Sequence, residues 1–182
     1  EVYAADGRLM GKYYVTDRTN APYSEISPNV VNALVATEDE RFYKHSGIDA
    51  RGLGRAVFFF GSEGGASTIT QQLAKNMLGQ GSRNTIARII EKLKEMIVAI
   101  KLERNFTKEE ILALYLNTVE YSDHVYGIRN ASRTFFQKDA SRLDVAESAV
   151  LIGMLKATGT YNPRTNPKQA LDRRNTVIDQ MV

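Results

Sequence analysis

The 182-residue chain contains no cysteine, which excludes disulfide staples and thiolate metal sites. That absence suits an extracytoplasmic protein and a cytosolic one alike. Only two histidines are present, His45 and His124, too few for a histidine-based metal centre. No apolar run approaches the ~20 residues needed to span a bilayer, and the start at Glu1 has no signal-peptide pattern. Internal repeats and low-complexity segments are missing too. Charge of one sign is scarce: 24 Lys and Arg oppose 21 Asp and Glu, a net charge of +3. This balance fits a phosphate-bearing ligand or an anionic membrane surface. It is not the dense basic stripe of a nucleic-acid binder, so no nucleic-acid partner is expected.

What is present reads as a single globular domain over residues 1–182, with 43% hydrophobic residues and interspersed charges. A helical pattern still runs at Met181-Val182 without a stop signal, so the chain is expected to belong to a longer protein. Residues 2–15 place Asp6-Gly7 between two apolar-rich runs, a hairpin signal. From there the pattern is helical. Ser27-Pro28 supplies a cap and a first-turn proline for a helix to about Tyr43. Further helices are expected near 49–60, 67–78, 84–104, 108–118, 123–136, 144–157 and 167–182. Thr107 with Glu110 forms a capping box, and Asn166-Pro167 repeats the cap-plus-proline start. Gly-rich breaks fall at 61–65 and 79–81.

Within the helix from Pro28, Val31, Leu34, Val35, Glu38 and Phe42 share one face, which places Glu38 on an apolar stripe. Desolvation there raises a carboxyl pKa toward the range of a general base, and the neighbouring Asp39 adds like charge. The same pattern suits a buried structural acid paired with an Arg or Lys. Taken alone, His45 reads as a capping or packing residue and Phe42 as core. A second constellation, Gly64-Gly65-Ala66-Ser67-Thr68-Ile69-Thr70-Gln71-Gln72-Leu73-Ala74-Lys75-Asn76, is a loop running into a helix. Hydroxyls and free N–H groups at such a start favour phosphate or sugar oxygens. Thr68, Gln71 and Lys75 share a face there, though an ordinary capped helix with a solvated polar face would look the same. On the helix 84–104, Ile86, Ile89, Ile90, Leu93, Ile97 and Ile100 form a core stripe, with Arg88, Lys92 and Glu95 opposite. A solvent face with helical ion pairs is the plain reading of those charges.

Read as strings, these segments carry a resemblance. Glu38-Asp39-Glu40-Arg41-Phe42-Tyr43-Lys44-His45-Ser46-Gly47 resembles the E-D-x-x-F-x-x-H-x-G signature of glycosyltransferase family 51. These are the peptidoglycan glycosyltransferase domains of class A penicillin-binding proteins and monofunctional transglycosylases. The second constellation is similar to the family's G-G/A-S-T-I-T-Q-Q motif. Glu91-Lys92-Leu93-Lys94-Glu95 is similar to R-K-x-x-E, with Glu91 in place of arginine and Arg88 one turn earlier on the face of Lys92. Lys108 to Asn117 is similar to K-x-x-I-L-x-x-Y-L-N, assigned to packing first, and Arg173-Arg174-Asn175 resembles the fifth motif.

The resemblance implies a mainly α, lysozyme-like, two-lobed fold whose cleft receives a growing glycan on undecaprenyl pyrophosphate and a lipid II acceptor. Glu38 would be the base that deprotonates the acceptor 4-hydroxyl, giving a β-1,4 link with inversion. Glu95 would be the second catalytic acid. Asp39, Phe42, His45, Ser67, Thr68, Gln71, Gln72, Lys75, Asn76, Arg88 and Lys92 would bind substrate. A negative Glu95 must act on pyrophosphate through a cation, either a neighbouring Lys or Arg or a divalent metal such as Mg or Mn. No cofactor is obligatory, and no residue is assigned as a metal ligand. Phe58, Phe59 and Phe60 cannot all face one core, and read either as an aromatic knot or as a patch. The resemblance puts them in a membrane-contacting jaw, at the outer (periplasmic) face of the cytoplasmic membrane, with a transmembrane anchor outside this chain. Moenomycin-type inhibitors would occupy the donor side. No S-x-x-K, S-x-N or K-T-G set occurs, so any transpeptidase domain would lie elsewhere in the parent chain. The rival readings are a lysozyme-type glycan hydrolase, with a buried Glu as general acid, and a non-catalytic lipid II-binding domain weakened by Glu91.

Overall fold

The computed structural model describes residues 20–50, 67–79 and 84–182, together with Asp6 and the backbone of two short strands. The strands, β1 (Val2–Tyr3) and β2 (Leu9–Gly11), pair antiparallel with Tyr3 opposite Leu9, where the hairpin is expected. Seven α-helices follow among the described residues: α1 (Pro28–Glu38), α2 (Ile69–Leu78), α3 (Thr85–Asn105), α4 (Lys108–Thr118), α5 (Ile128–Phe136), α6 (Val145–Leu155) and α7 (Pro167–Met181). The fold is mainly α, as the residue pattern implies. The expected helix at 49–60, the Phe58–Phe60 patch and the Gly-rich break at 61–65 lie outside the described residues, apart from positions 49 and 50.

Local chemistry sets most helix starts. Ser27 caps α1 by accepting from the Asn29 N–H and ties it to the chain by donating to the Leu143 carbonyl at 2.8 Å. The Thr107–Glu110 capping box opens α4 as expected, and a second box, Asp144–Glu147, opens α6. Asn166 differs: Pro167 starts α7, but the Asn166 amide donates to the Gly159 carbonyl at 2.9 Å instead of capping the helix.

Two groups of helices pack around one core. α6, buried on most sides by Ala149, Leu151, Ile152 and Met154, packs on α1 and α7. α2 packs on α3 and α4, bringing Ile69 and Leu73 against the core that Ile111, Leu112 and Leu116 share.

Three expectations fail for physical reasons. α1 stops at Glu38, five residues before Tyr43, because Asp39 leaves helical geometry and its carboxylate is taken up elsewhere. Phe42 returns in a separate single turn, Phe42–Lys44. α5 begins at Ile128 and not at 123, because Ser122, Asp123 and His124 are all left-handed, with φ of 85°, 51° and 59°. Buried Asn162 holds that reversal by donating to Ser122 Oγ and Asp123 Oδ1, both at 2.9 Å. Most consequentially, α3 is turned inside out relative to its apolar pattern. Ile86, Ile89, Leu93 and Ile97 are 68%, 58%, 55% and 55% exposed, while Glu95, Ala99 and Leu102 are buried.

Candidate active site

The inverted α3 explains itself at the cleft. A cavity of about 1310 Å³ runs between α2 and α3 on one side and α4 with the segment after it on the other. Ser67, Gln71, Gln72, Lys75 and Asn76 line it from the start and face of α2. Arg88, Glu91, Lys92 and Glu95 line it from α3, so the charged stripe faces the cavity and not bulk solvent. Tyr115, Thr118, Val119, Glu120 and Tyr126 complete the far wall.

Lys92 organises the cationic end. Its ammonium donates to Glu95 Oε2 at 2.7 Å and to Ser67 Oγ at 2.7 Å, joining α3 to the residue that precedes α2. Glu95 is only 5% exposed, and a carboxylate that dry needs the paired cation. Lys75, Asn76 and Arg88 are exposed on the same walls, available to a ligand. Among the described residues no group of three His, Cys, Asp or Glu side chains could hold a metal ion.

Glu38 ends α1, half-buried, one hydrogen bond behind the cavity wall. Gln72 Nε2 donates to Glu38 Oε2 at 2.9 Å, and Gln72 Oε1 accepts from the Tyr115 hydroxyl at 2.9 Å. Burial, and secondly the charge of Glu38, push the Tyr115 hydroxyl far above its ordinary range, so it keeps its proton and donates it to Gln72.

Other expected contacts sit elsewhere. Phe42 is fully buried, and neither Phe42, Asp39 nor His45 lines the cavity. His45 Nε2 stands 3.0 Å from both Asp39 oxygens, and Asp39 Oδ2 accepts from the Ile69 N–H at the start of α2. A carboxylate at a helix N-terminus complements its dipole. Lys108 donates to the His45 carbonyl at 2.7 Å and stands 4.2 Å over the Phe42 ring. Glu103 accepts from Lys108 and from Thr70 Oγ1 at 2.6 Å. Gly47, at φ +90°, lies so close to α3 that a Cβ would fall 2.9 Å from the Ala99 carbonyl carbon and oxygen. The first motif is thus mostly a buried frame beside Glu38, and Asp39, Phe42 and His45 stand off the cavity wall. Thr68 also stands off the cavity wall: it caps α2 reciprocally with Gln71 and donates to the Gly47 carbonyl at 2.7 Å.

Residue patterns left Tyr115 among the packing residues of α4. A single hydroxyl in the run Ile111, Leu112, Leu116 was the available signal, since a buried Tyr O–H must find an acceptor.

Comparison with known proteins gives the class of this site, a half-buried acid framed behind a polar cleft with a cationic end. A profile described as transglycosylase matches residues 6–182, and the chain belongs to that family of glycosyltransferases. It is 39% identical over 186 aligned residues to penicillin-binding protein 1A of Escherichia coli K12, covering all of this chain and 21% of that protein. It is 40% identical to penicillin-binding protein 1F of Bacillus subtilis 168, over 97% of this chain and 25% of that one. The Aquifex aeolicus penicillin-binding protein 1A is 41% identical, over all of this chain and 25% of that one. The chain therefore spans a fifth to a quarter of the length of these relatives. The crystal structure of penicillin-binding protein 1A from Haemophilus influenzae superposes with a TM-score of 0.52 at 23% identity, covering 99% of this chain and 17% of that one, which shows the shared fold.

Proposed function

We propose that this domain polymerises lipid II into β-1,4-linked glycan strands, with inversion at the donor anomeric carbon and release of undecaprenyl pyrophosphate. The observation that carries the reading is the pairing of functions along one cleft. Glu38 reaches it through Gln72, and Lys75, Arg88 and Lys92 stand on its α2 and α3 walls. Glu38 takes the proton of the acceptor 4-hydroxyl as that oxygen attacks the donor C1. The bond from C1 to the pyrophosphate oxygen breaks, and Lys92, with Arg88 and Lys75, offsets the charge that gathers on the leaving group. Glu95 acts by holding Lys92. Ser67, Gln71, Gln72 and Asn76 supply hydrogen bonds to sugar and phosphate oxygens. The chain's own cations serve the leaving group, so an Mg or Mn ion would accompany the substrate pyrophosphate.

The exposed apolar stripe of α3, with Met77 and Leu78 at the end of α2, supports a membrane surface as partner, where a lipid-linked substrate resides. Among the described residues no helix is long and apolar enough to cross a membrane. The domain would act at the outer face of the cytoplasmic membrane, with a transmembrane anchor elsewhere in the full-length protein. A penicillin-reactive transpeptidase elsewhere in the full-length protein would fit the names of the relatives, and moenomycin-type inhibitors would compete for the donor side. The test is polymerisation of lipid II by wild type and Glu38→Gln. Polymer from wild type and none from the variant is expected. A fully active variant overturns the mechanism, and release of muropeptides from glycan without polymer formation identifies a hydrolase.

A further inference from the structure

We infer that Tyr115 is a positioning residue that acts on Glu38 through the side-chain amide of Gln72. The inference rests on the reading of Glu38 as the base. An amide is symmetric in shape but not in chemistry, and either end of Gln72 could face Glu38. The carboxylate, an acceptor only, requires the N–H₂ end, and Tyr115 backs that orientation from the other side. Its hydroxyl, 2% exposed, donates at 2.9 Å to Gln72 Oε1. The N–H₂ end is thereby turned to Glu38, where it donates at 2.9 Å to Oε2.

Two consequences follow for the base. The bond from Gln72 holds the carboxylate in one orientation. The bond also takes up Oε2, so Oε1 is the oxygen that receives the acceptor proton. If the amide flipped, its carbonyl would face the carboxylate, acceptor against acceptor, and the orientation would be lost. Tyr115 cannot be an alternative base, because burial keeps its own proton on. Its position also explains why α4 carries a hydroxyl in an otherwise aliphatic packing face.

The experiment compares wild type, Tyr115→Phe, Gln72→Met, the double variant and Glu38→Gln in lipid II polymerisation by the full-length protein, with kcat and KM measured for each. Tyr115→Phe preserves ring packing, and thermal unfolding checks that it folds. Its kcat is expected to fall about tenfold, less than the ~10²–10⁴ contributed by a general base itself. KM should stay within about twofold, so that the loss falls on kcat, as expected of a group that orients the base and does not bind substrate. The double variant should lose no more than Gln72→Met alone, because the hydroxyl acts only through the amide. An inactive Glu38→Gln beside a Tyr115→Phe with wild-type kcat overturns this inference and leaves the base intact. Additive losses in the double variant overturn it equally. A fully active Glu38→Gln overturns both readings.

Discussion

Lys92 and Glu95 lie one turn apart on α3 and meet at 2.7 Å, with the Glu95 carboxylate almost completely buried and the Lys92 side chain 40% accessible. A buried acid without its cation is costly, so Lys92→Met should destabilise the protein by about 1–3 kcal/mol, below the ~3–5 kcal/mol of a fully buried pair because Lys92 is partly solvated. Glu95→Gln should cost less, since a neutral amide needs no counter-charge. The Lys92→Met/Glu95→Gln double variant should be more stable than Lys92→Met alone. Denaturant unfolding of the four proteins checks this, and independent, additive losses would contradict the pairing.

The same helix shows how far a residue pattern reaches. The apolar period of α3 is plain, and so is its helical start at Asn84, but the pattern does not say which medium the stripe faces. Isoleucine pairs as well with lipid as with a protein core, and the deciding facts are tertiary: the Lys92–Ser67 bond and the approach of Gly47 to Ala99. Caps were legible at Ser27 and Thr107 because both partners are local. The end of α1 was not, because Asp39 answers to His45 and to Ile69, 30 residues away. The candidate base was legible by its place among Val31, Leu34 and Val35. Its supports were not, since Gln72 and Tyr115 are brought to it by packing.

If the α3 stripe is a membrane face and not core, Leu93→Ser/Ile97→Ser, two exposed positions off the cavity wall, should leave stability within about 1 kcal/mol of wild type, whereas two truncated core side chains would lose ~4–10 kcal/mol together. Association with anionic lipid vesicles should fall several-fold in the same variant. Thermal unfolding and vesicle sedimentation measure the two effects separately, and a large drop in melting temperature would return the stripe to the core.

Gly47 offers a sharper stability test. At φ +90° a side chain is strained, and a Cβ there would press on Ala99 backbone atoms at 2.9 Å, which cannot give way as a flexible side chain would. Gly47→Ala should cost about 2–4 kcal/mol, combining the strain of the backbone conformation with the overlap. That corresponds to a fall in melting temperature of roughly 4–16 °C for a domain of this size. Activity should fall too, because Gly47 accepts from Thr68 at the head of α2, the helix that carries Gln72.

Glu110 gives a pH dependence whose sign can be worked out. Hydrogen bonds from the Thr107 backbone N–H, and then from its hydroxyl, hold the Glu110 carboxyl below the ordinary glutamate range. A group with a depressed folded pKa contributes stability that is present above its unfolded value and lost as pH falls through the folded one. The contribution should therefore be full near neutrality and fade below about pH 4.5, where an unfolded glutamate protonates. Glu110→Gln keeps an acceptor for the cap but removes the titration. The stability difference between wild type and this variant should shrink steadily as the pH is lowered. Thermal unfolding of both proteins across the acidic range measures it, and a constant difference would show that the capping box is insensitive to the charge.

The last prediction concerns Glu91, which lines the cleft beside Lys92 and Arg88 where the resembling motif has arginine. An acid there opposes a pyrophosphate, and Arg88, one turn before Lys92, offers a compensating charge from the same wall. Arg88→Ala should weaken binding of a pyrophosphate-bearing donor about tenfold, equivalent to ~1.4 kcal/mol. Glu91→Arg should strengthen it by a similar factor and, in the Arg88→Ala background, restore most of what was lost. Both effects should shrink at high salt, since the groups are partly solvated. Titration of the donor at two ionic strengths measures this. Unchanged affinity in Arg88→Ala would mean that Lys92 and Lys75 carry the charge alone, and that Glu91 replaces the arginine without compensation.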